Sequence, residues 1–250
     1  MHLKIWPLGI GGWMPAHGRQ TNALLIEYKE RLIIVDAGTG ISNLLGFEVI
    51  LDRYKHVDLI LTHYHLDHLV GLFYLPKFLS EKSVTIWGPG APAYDTTCEK
   101  VIKKHLEQPY GTTGYETIAK SVECKDYNET GFDIGEIHVA IQPQKHTLPS
   151  FGLTFDDQLH IATDTCVDDK TFKKNVRLLL HECWAKDDES AQEHASMDSI
   201  LELMKRHQKT SNIEAVGLIH LNPRYSDTEY ASWIKSPIFV TQEKQLIELK

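Results

Sequence analysis

A short histidine-rich stretch carries the strongest chemical signal in this sequence. Between His63 and His68 the chain places three imidazoles and one carboxylate, directly after the apolar run 57–61. Imidazole nitrogens and carboxylate oxygens are ordinary ligands of zinc, manganese and iron, so this density is typical of a metal site. A histidine-rich surface turn without metal is the alternative, and it becomes costly if the imidazoles are buried without partners.

The spacing separates these side chains into two pairs. In an extended segment His63 and His65 are two residues apart and point to the same side, so both can bind one ion. Asp67 and His68 follow at the predicted start of a helix over 67–73, where they face elsewhere and can hold a second ion. Two ions about 3.5–4 Å apart form a centre that hydrolyses phosphate and acyl esters.

Further residues of the same types stand where apolar strands end. Side chains just past strand ends are well placed for function, because a rigid scaffold positions the loops that carry them. We therefore expect one edge of a two-sheet sandwich to carry the chemistry. Asp36 ends an earlier strand and either forms a turn or accepts a hydrogen bond from a ligand imidazole. The other strand-end residues are His146, Asp164, Glu182 and His220.

Hydrophobic patterning predicts a chain rich in strands. A helix is predicted over 196–207, where Met197, Ile200, Leu201 and Met204 recur at helical spacing, and another over 92–107 despite polar interruptions. The glycine-rich loop 9–12 precedes a strand rather than a helix, which argues against dinucleotide binding. Predicted strands cover 3–8, 21–28, 31–36, 57–61, 84–87, 134–141, 151–155, 159–162, 176–180, 213–219, 238–241 and 245–249.

Composition excludes several classes of protein. With 250 residues, 42% hydrophobic and 24% charged, the chain is expected to form one globular α/β domain over 1–250. No apolar run is long enough to span a membrane and no signal peptide is evident, so a cytoplasmic location is expected. The four scattered cysteines predict reduced thiols. A net charge of −8 argues against non-specific nucleic-acid binding.

The order of these motifs resembles the metallo-β-lactamase superfamily. The resemblance rests on His-x-His-x-Asp-His at 63–68, a later lone His146, the Thr-Asp-Thr around Asp164 and a final His220. It implies the metallo-β-lactamase fold, a four-layer αββα sandwich, and two divalent metal ions, zinc first with manganese or iron as alternatives. It also implies the ligands: His63, His65 and His146 on one ion, Asp67, His68 and His220 on the other, and Asp164 bridging them.

Within the superfamily, the finer resemblance is to the phosphodiesterase branch that contains ribonuclease Z and the cyclic-phosphate phosphodiesterases. The segment 146–152 is similar to its His-x-x-x-Ser-x-Gly motif, which implies that Ser150 binds substrate. The segment 220–225 resembles its His-Phe-Ser-x-Arg-Tyr motif, which implies that Arg224 lies near a substrate phosphate. Glu182 and His194 resemble the pair that protonates the leaving group, and Asp67 would also orient the attacking water.

These features predict a dinuclear phosphodiesterase acting on a small or cyclic phosphodiester or nucleotide through a metal-bridging hydroxide. Asn222 in place of the usual Ser, the lack of a Pro-x-Lys-x-x-Asn motif and the lack of a long Gly/Pro-rich arm favour such a substrate over RNA. A tRNA 3′-processing endonuclease, a lactonase or thioesterase, and a non-catalytic metal-bound module remain as alternatives. The loop between Trp87 and Ile134 is expected to shape the pocket, and a homodimer is considered as the assembly.

Overall fold

The computed structural model describes residues 2–111, 114–172 and 175–250. Within these ranges the strands form two sheets of seven. The strands are β1 (Leu3–Gly9), β2 (Ala23–Tyr28), β3 (Arg31–Val35), β4 (His56–Ile60), β5 (Ser83–Pro89), β6 (Ser121–Tyr127), β7 (Phe132–Ile134), β8 (Ile137–Gln144), β9 (Ser150–Phe155), β10 (Leu159–Ala162), β11 (Leu178–Glu182), β12 (Ala215–Ile219), β13 (Ile238–Val240) and β14 (Ile247–Leu249).

Short helices connect the strands. The α-helices are α1 (Glu48–Leu51), α2 (Leu75–Leu79), α3 (Cys98–Leu106), α4 (Asp169–Phe172), α5 (Asp188–Ala191), α6 (Met197–His207) and α7 (Asp227–Trp233). Single 3₁₀ segments cover Thr39–Gly46, Leu66–His68, Val70–Tyr74 and Tyr115–Thr117. In the described parts of the chain, none of the helices combines the length and the apolar character needed to span a bilayer.

Each sheet is half antiparallel and half parallel. The first has the order β14-β1-β2-β3-β4-β5-β6, antiparallel from β14 to β3 and parallel from β3 to β6. The second has the order β13-β12-β11-β10-β9-β8-β7, parallel from β13 to β10 and antiparallel from there to β7. The carboxyl ends of neighbouring parallel strands therefore lie along the same edge of each sheet, which is where their loops can build a shared site.

Alternation along the strands buries both faces of each sheet. In β2, Leu24 faces the opposite sheet and packs in the cluster that contains Phe155, whereas Leu25 faces outward into the cluster beneath α3. On the far side, Val216 of β12 packs in a third cluster with Ile200 of α6. The three apolar clusters thus lie between four layers, which are helices, the first sheet, the second sheet and helices. The predicted four-layer αββα sandwich is confirmed.

Several predicted elements have different bounds in the structure. The helix predicted over 92–107 is wrong for its first turn and a half: α3 begins at Cys98, because the Thr97 side chain accepts a hydrogen bond from the Lys100 amide and caps it there. The helix predicted over 67–73 is instead two 3₁₀ segments. The strand predicted over 213–219 begins at Ala215. The strand predicted over 176–180 is β11, which spans Leu178–Glu182.

Two elements carry weak or overlooked sequence signals. β6 is a polar edge strand, Ser-Val-Glu-Cys-Lys-Asp-Tyr, whose partly exposed side chains give no apolar run. α7 begins with a capping box, in which the Ser226 side chain accepts from the Glu229 amide and the Glu229 carboxylate accepts from the Ser226 amide. This Ser-x-x-Glu spacing is a recognised helix-start signal and could have been found from the sequence.

The hydroxyl of Tyr230 offers a test of how α7 is tied to the second sheet. This side chain is fully buried; its hydroxyl accepts from the Asn222 amide and donates to the Cys183 carbonyl, both at 2.8 Å. Tyr230→Phe leaves a buried N–H unpaired, so urea unfolding should show a loss of about 1–3 kcal/mol. Tyr110→Phe, at a side chain 74% exposed, should stay within about 0.5 kcal/mol of the native chain. Equal stability of the two variants would contradict the bracing role.

Candidate metal centre

The predicted ligands lie together at one edge of the sandwich because the strands deliver them there. His63 follows β4 of the first sheet, whereas His146, Asp164 and His220 follow β8, β10 and β12 of the second. β8 and β10 are both antiparallel to β9, so they run in the same direction and their carboxyl ends lie at the same edge. Residues far apart in sequence therefore meet without any long loop.

One group of ligand atoms consists of three imidazoles and one carboxylate oxygen. His65 Nδ1 lies 3.0 Å from His63 Nε2 and 3.2 Å from His146 Nε2. Asp164 Oδ1 lies 3.8 Å from His63 Nε2 and 3.5 Å from His146 Nε2. All four ligand atoms lie within 4.8 Å of one another, a separation that suits coordination of a single cation.

A second group faces the other oxygen of the same carboxylate. Asp164 Oδ2 lies 3.1 Å from His68 Nε2 and 3.2 Å from His220 Nε2. Asp67 Oδ2 lies 3.4 Å from each of these two nitrogens. The two oxygens of Asp164 are thus directed at different ligand groups, which is the arrangement of a carboxylate shared between two ions.

Buried atoms without hydrogen-bond partners test whether cations fit here. His68 Nε2 and Asp164 Oδ2 are both inaccessible to solvent, and within the described residues neither has a hydrogen bond of acceptable geometry. Leaving such groups unsatisfied is costly. A pair of divalent cations would satisfy them, and imidazole with carboxylate is a donor set that zinc, manganese and iron accept. The residues therefore fit the predicted pair of ions.

Asp36 orients one of these ligands from behind. Its carboxylate accepts hydrogen bonds from Asn22 Nδ2, the Thr62 amide and His68 Nδ1, each at 2.8 Å. With Nδ1 donating, the His68 Nε2 lone pair faces the centre. Asp36 also has a left-handed backbone, with φ of 59°, so it both turns the chain and orients an imidazole. The two roles considered for it from sequence occur together.

Glu182 and His194 are also brought together, beside the second ligand group. His194 Nδ1 lies 2.9 Å from Glu182 Oε2, and the other oxygen of this buried carboxylate accepts from the Thr165 amide. The His194 ring stacks on Trp184 with centroids 4.5 Å apart. Burial favours the neutral imidazole, but the Glu182 charge outweighs it and raises the pKa of His194 above its usual value. A histidine held in this way can donate a proton.

The buried charges of the centre support one another. Burial would raise the pKa of the Asp164 carboxyl, but the imidazoles of His220, His68 and His63 hold it well below its usual range. Burial likewise lowers the pKa of His220, whereas the charge of Asp164 and the hydrogen bond to Asp67 raise it to about 10. The surrounding imidazoles thus favour the ionised form of Asp164.

The ligands open into a cavity of about 910 Å³. Its wall contains several residues that sequence analysis did not select, among them Trp13, Met14 and Trp184. Gly12 allows the loop that carries Trp13 and Met14 to approach His220, because a Cβ at position 12 would lie 2.5 Å from Cε1 of that histidine. The glycine run at 9–12 was the available signal, but the close approach depends on β12, which lies 200 residues away in sequence.

Ser150 and Arg224 do not line this cavity. The buried Ser150 hydroxyl lies 3.2 Å from Gln144 Oε1 and 3.3 Å from the Thr163 carbonyl, so it braces the loop that carries Asp164. Arg224 is exposed, and its backbone amide donates to Asn222 Oδ1. The segment between β5 and β7, expected to shape the pocket, contributes no residue to the described cavity wall.

Asp36→Asn tests whether the carboxylate behind His68 controls ion binding. An amide has only one accepting oxygen and turns its NH₂ towards groups that are themselves donors. We expect divalent-ion affinity to fall roughly 10- to 100-fold, measured by competition with a chromogenic chelator. Asp58→Asn is the matched control: this buried carboxylate lies in β4 and accepts from Trp87 Nε1, away from the ligands. Equal affinities in both variants would rule out the orienting role of Asp36.

Sequence relatives and solved structures agree with this geometry. Ribonuclease Z of Clostridium kluyveri is 28% identical over 189 residues, covering 74% of this chain and 57% of that protein. The chain spans about half the length of several of the curated ribonuclease Z relatives it matches. The metallo-β-lactamase fold protein YhfI from Bacillus subtilis superposes with a TM-score of 0.76 at 18% identity, covering 99% of this chain and 100% of that one.

A further structure, a diphosphatase of the PhnP family, has a TM-score of 0.75 at 13% identity and covers 99% of this chain and 98% of that one. At these identities the structural likeness establishes the fold. Fold and relatives together define the class: a protein of the metallo-β-lactamase fold that is similar in sequence to ribonuclease Z. Within that class, the chain belongs to the family described as Anti-Pycsar protein Apyc1, whose sequence model matches residues 3–245.

Proposed function

We propose that this protein is a dinuclear metal-dependent phosphodiesterase that acts on a small or cyclic phosphodiester or nucleotide. The observation that carries the proposal is the division of the Asp164 oxygens between two ligand groups, 3.1–3.2 Å from one and 3.5–3.8 Å from the other. A carboxylate shared between two metal positions would keep two ions close together, as two-ion hydrolysis requires. The relatives named as ribonuclease Z and diphosphatase are hydrolases of phosphate esters and anhydrides, which supports this chemistry.

The proposal assigns a role to each ligand. Three imidazoles would hold one ion, Asp67 and two imidazoles would hold the other, and Asp164 would be common to both. Bound divalent ions supply Lewis acidity, which activates water and neutralises the phosphate charge. Asp67 lies at the cavity wall, where it can orient the attacking water. The ligands are His63, His65 and His146 for the first ion and Asp67, His68 and His220 for the second.

His194 is the proposed proton donor to the departing oxygen. Its ring lines the cavity, and Glu182 accepts from Nδ1, so the imidazolium form is stabilised and the ring is fixed. The stacking on Trp184 limits its rotation further. A donor placed in this way contributes roughly 10²–10⁴-fold to the rate, but only when the leaving group is a poor anion that needs the proton.

The leaving-group dependence gives a sharp test of that role. His194→Asn should slow hydrolysis of a cyclic nucleotide, whose leaving group is an alkoxide, by roughly 10²-fold or more. Hydrolysis of bis(p-nitrophenyl) phosphate should fall much less, because p-nitrophenolate leaves as a stable anion. His138→Asn, at an exposed histidine paired with Asp133, is the matched control. An equal loss on both substrates would refute proton donation and indicate a binding role.

The charge of the cavity wall bears on the size of the substrate. In the described chain, the residues lining the cavity include no lysine or arginine, and Glu193 adds a carboxylate at its rim. A long RNA needs many cationic contacts along its phosphates. The wall therefore favours a substrate with a single phosphodiester. The tRNA 3′-processing alternative is supported by the ribonuclease Z relatives, and efficient cleavage of a pre-tRNA by this chain would favour it instead.

The same scaffold could instead cleave carbonyl esters. The lactonase or thioesterase alternative predicts that an acyl ester is hydrolysed far faster than any phosphodiester. The non-catalytic alternative predicts tight binding of a nucleotide without turnover. Neither has a specific contact in its favour.

A further inference from the structure

One tryptophan stands out on the cavity wall. The Trp13 side chain is 69% exposed, although large aromatic side chains are normally covered in a folded protein. Its backbone is left-handed, with φ of 63°, a conformation that a bulky residue adopts only where neighbouring contacts impose it. Met14 beside it is 48% exposed and lines the same cavity. The loop therefore presents apolar side chains towards the site rather than packing them into the core.

The contacts that impose this conformation come from the metal centre and its supporting loop. The Trp13 amide donates to Asp67 Oδ2 at 2.8 Å, the same oxygen that faces His220. The Gly12 amide donates to the Leu221 carbonyl at 2.9 Å. The base of the loop is thereby fixed to Asp67 and to the residue that follows His220. The indole is therefore held beside the candidate metal centre, on the cavity wall, and stays largely exposed.

The rest of the wall defines what can lie against this indole. The wall includes the apolar side chains of Pro15, Leu66 and Val70, and none of its described residues is a lysine or an arginine. It thus offers no lysine or arginine to a second phosphate or a carboxylate. It suits a neutral planar group, and stacking on an aromatic side chain is worth about 1–3 kcal/mol per base in nucleic-acid-binding proteins.

We propose that Trp13 is a specificity-determining residue that stacks against the nucleobase of the substrate. The inference rests on the proposed phosphodiesterase function and deepens it, since it selects phosphodiesters that carry a planar aromatic base over those that do not. The loop acts as a platform: Asp67 fixes the backbone of Trp13, and the indole receives the base.

Two substrates with one leaving group separate this inference from the reaction itself. Thymidine 5′-(p-nitrophenyl phosphate) and methyl p-nitrophenyl phosphate release the same anion, but only the first carries a base. The native protein should prefer the first. Trp13→Ala should lower its kcat/KM about tenfold, mainly through KM, and change that of the methyl ester less than about twofold. Trp13→Phe, which keeps a ring, should retain most of the preference.

Each outcome has one meaning. Because the Trp13 side chain is exposed, Trp13→Ala should keep the metal content and melting temperature of the native protein. Val49→Ala is the control: this side chain is 82% exposed and outside the cavity wall, so the variant should match the native protein in metal content, melting temperature and activity on both esters. An equal loss on both esters, or an unchanged preference, would overturn the role of Trp13 while leaving the phosphodiesterase proposal intact. If the native protein cleaves neither ester with divalent ions present, the proposed function itself fails.

Discussion

The Asp164 carboxylate, enclosed by imidazoles, is the interaction on which this edge of the molecule depends. Its side chain is only 4% exposed, and a charge in such a place is tolerated when opposite charges or hydrogen bonds surround it. The imidazoles of His63, His68, His146 and His220 lie within 3.8 Å of its oxygens. Any change in the loops that separates them would leave a buried charge unpaired, so the positions of these loops are tightly constrained.

Groups from distant parts of the chain hold those loops in place. The buried Arg19 guanidinium donates to the carbonyls of Asn222 and Tyr225 and pairs with Asp227, which fixes the segment after His220. Ser150 supports the carbonyl just before Asp164 in the same way. A site needs such supporting contacts if its ligands are to keep their geometry through a reaction. The core of the sandwich thus acts as a frame, and the buried hydrogen bonds at its edge determine the positions of the ligands.

The sequence predicts the centre better than its surroundings for a physical reason. The spacing of His63, His65, Asp67 and His68 is local, and strand ends are visible in the apolar pattern, so a cluster of candidate ligands at one edge of a two-sheet sandwich could be predicted from the residues. The αββα order and the assignment of ligands to each ion came from the family resemblance. The cavity wall could not, because it arises from contacts between loops that are distant in sequence. From the sequence alone Trp13 is an ordinary loop residue, because the hydrogen bond from its amide to Asp67 depends on the fold.

The two substrate-binding expectations illustrate the same limit. Ser150 and Arg224 were selected from motif resemblance, which records residue types but not the direction in which a side chain points. In the fold, the Ser150 hydroxyl contacts the Thr163 carbonyl and Arg224 lies outside the described cavity wall, and substrate binding by either residue stays a prediction. Edge strand β6 gives no apolar run in the sequence, because an edge strand needs little apolar surface. The interior strands are buried on both faces and therefore appear as apolar runs.

The most direct test of the central claim is the number of divalent ions bound per chain, measured by plasma mass spectrometry on native protein and on Asp164→Ala, with bis(p-nitrophenyl) phosphate hydrolysis followed in parallel. A shared carboxylate predicts about two ions with turnover in the native protein, and a loss of both ion content and turnover in the variant. Thermal unfolding of Asp164→Asn, which keeps the side-chain shape, separates loss of ligation from loss of folding. A folded native chain that takes up no divalent ion on loading would contradict the account.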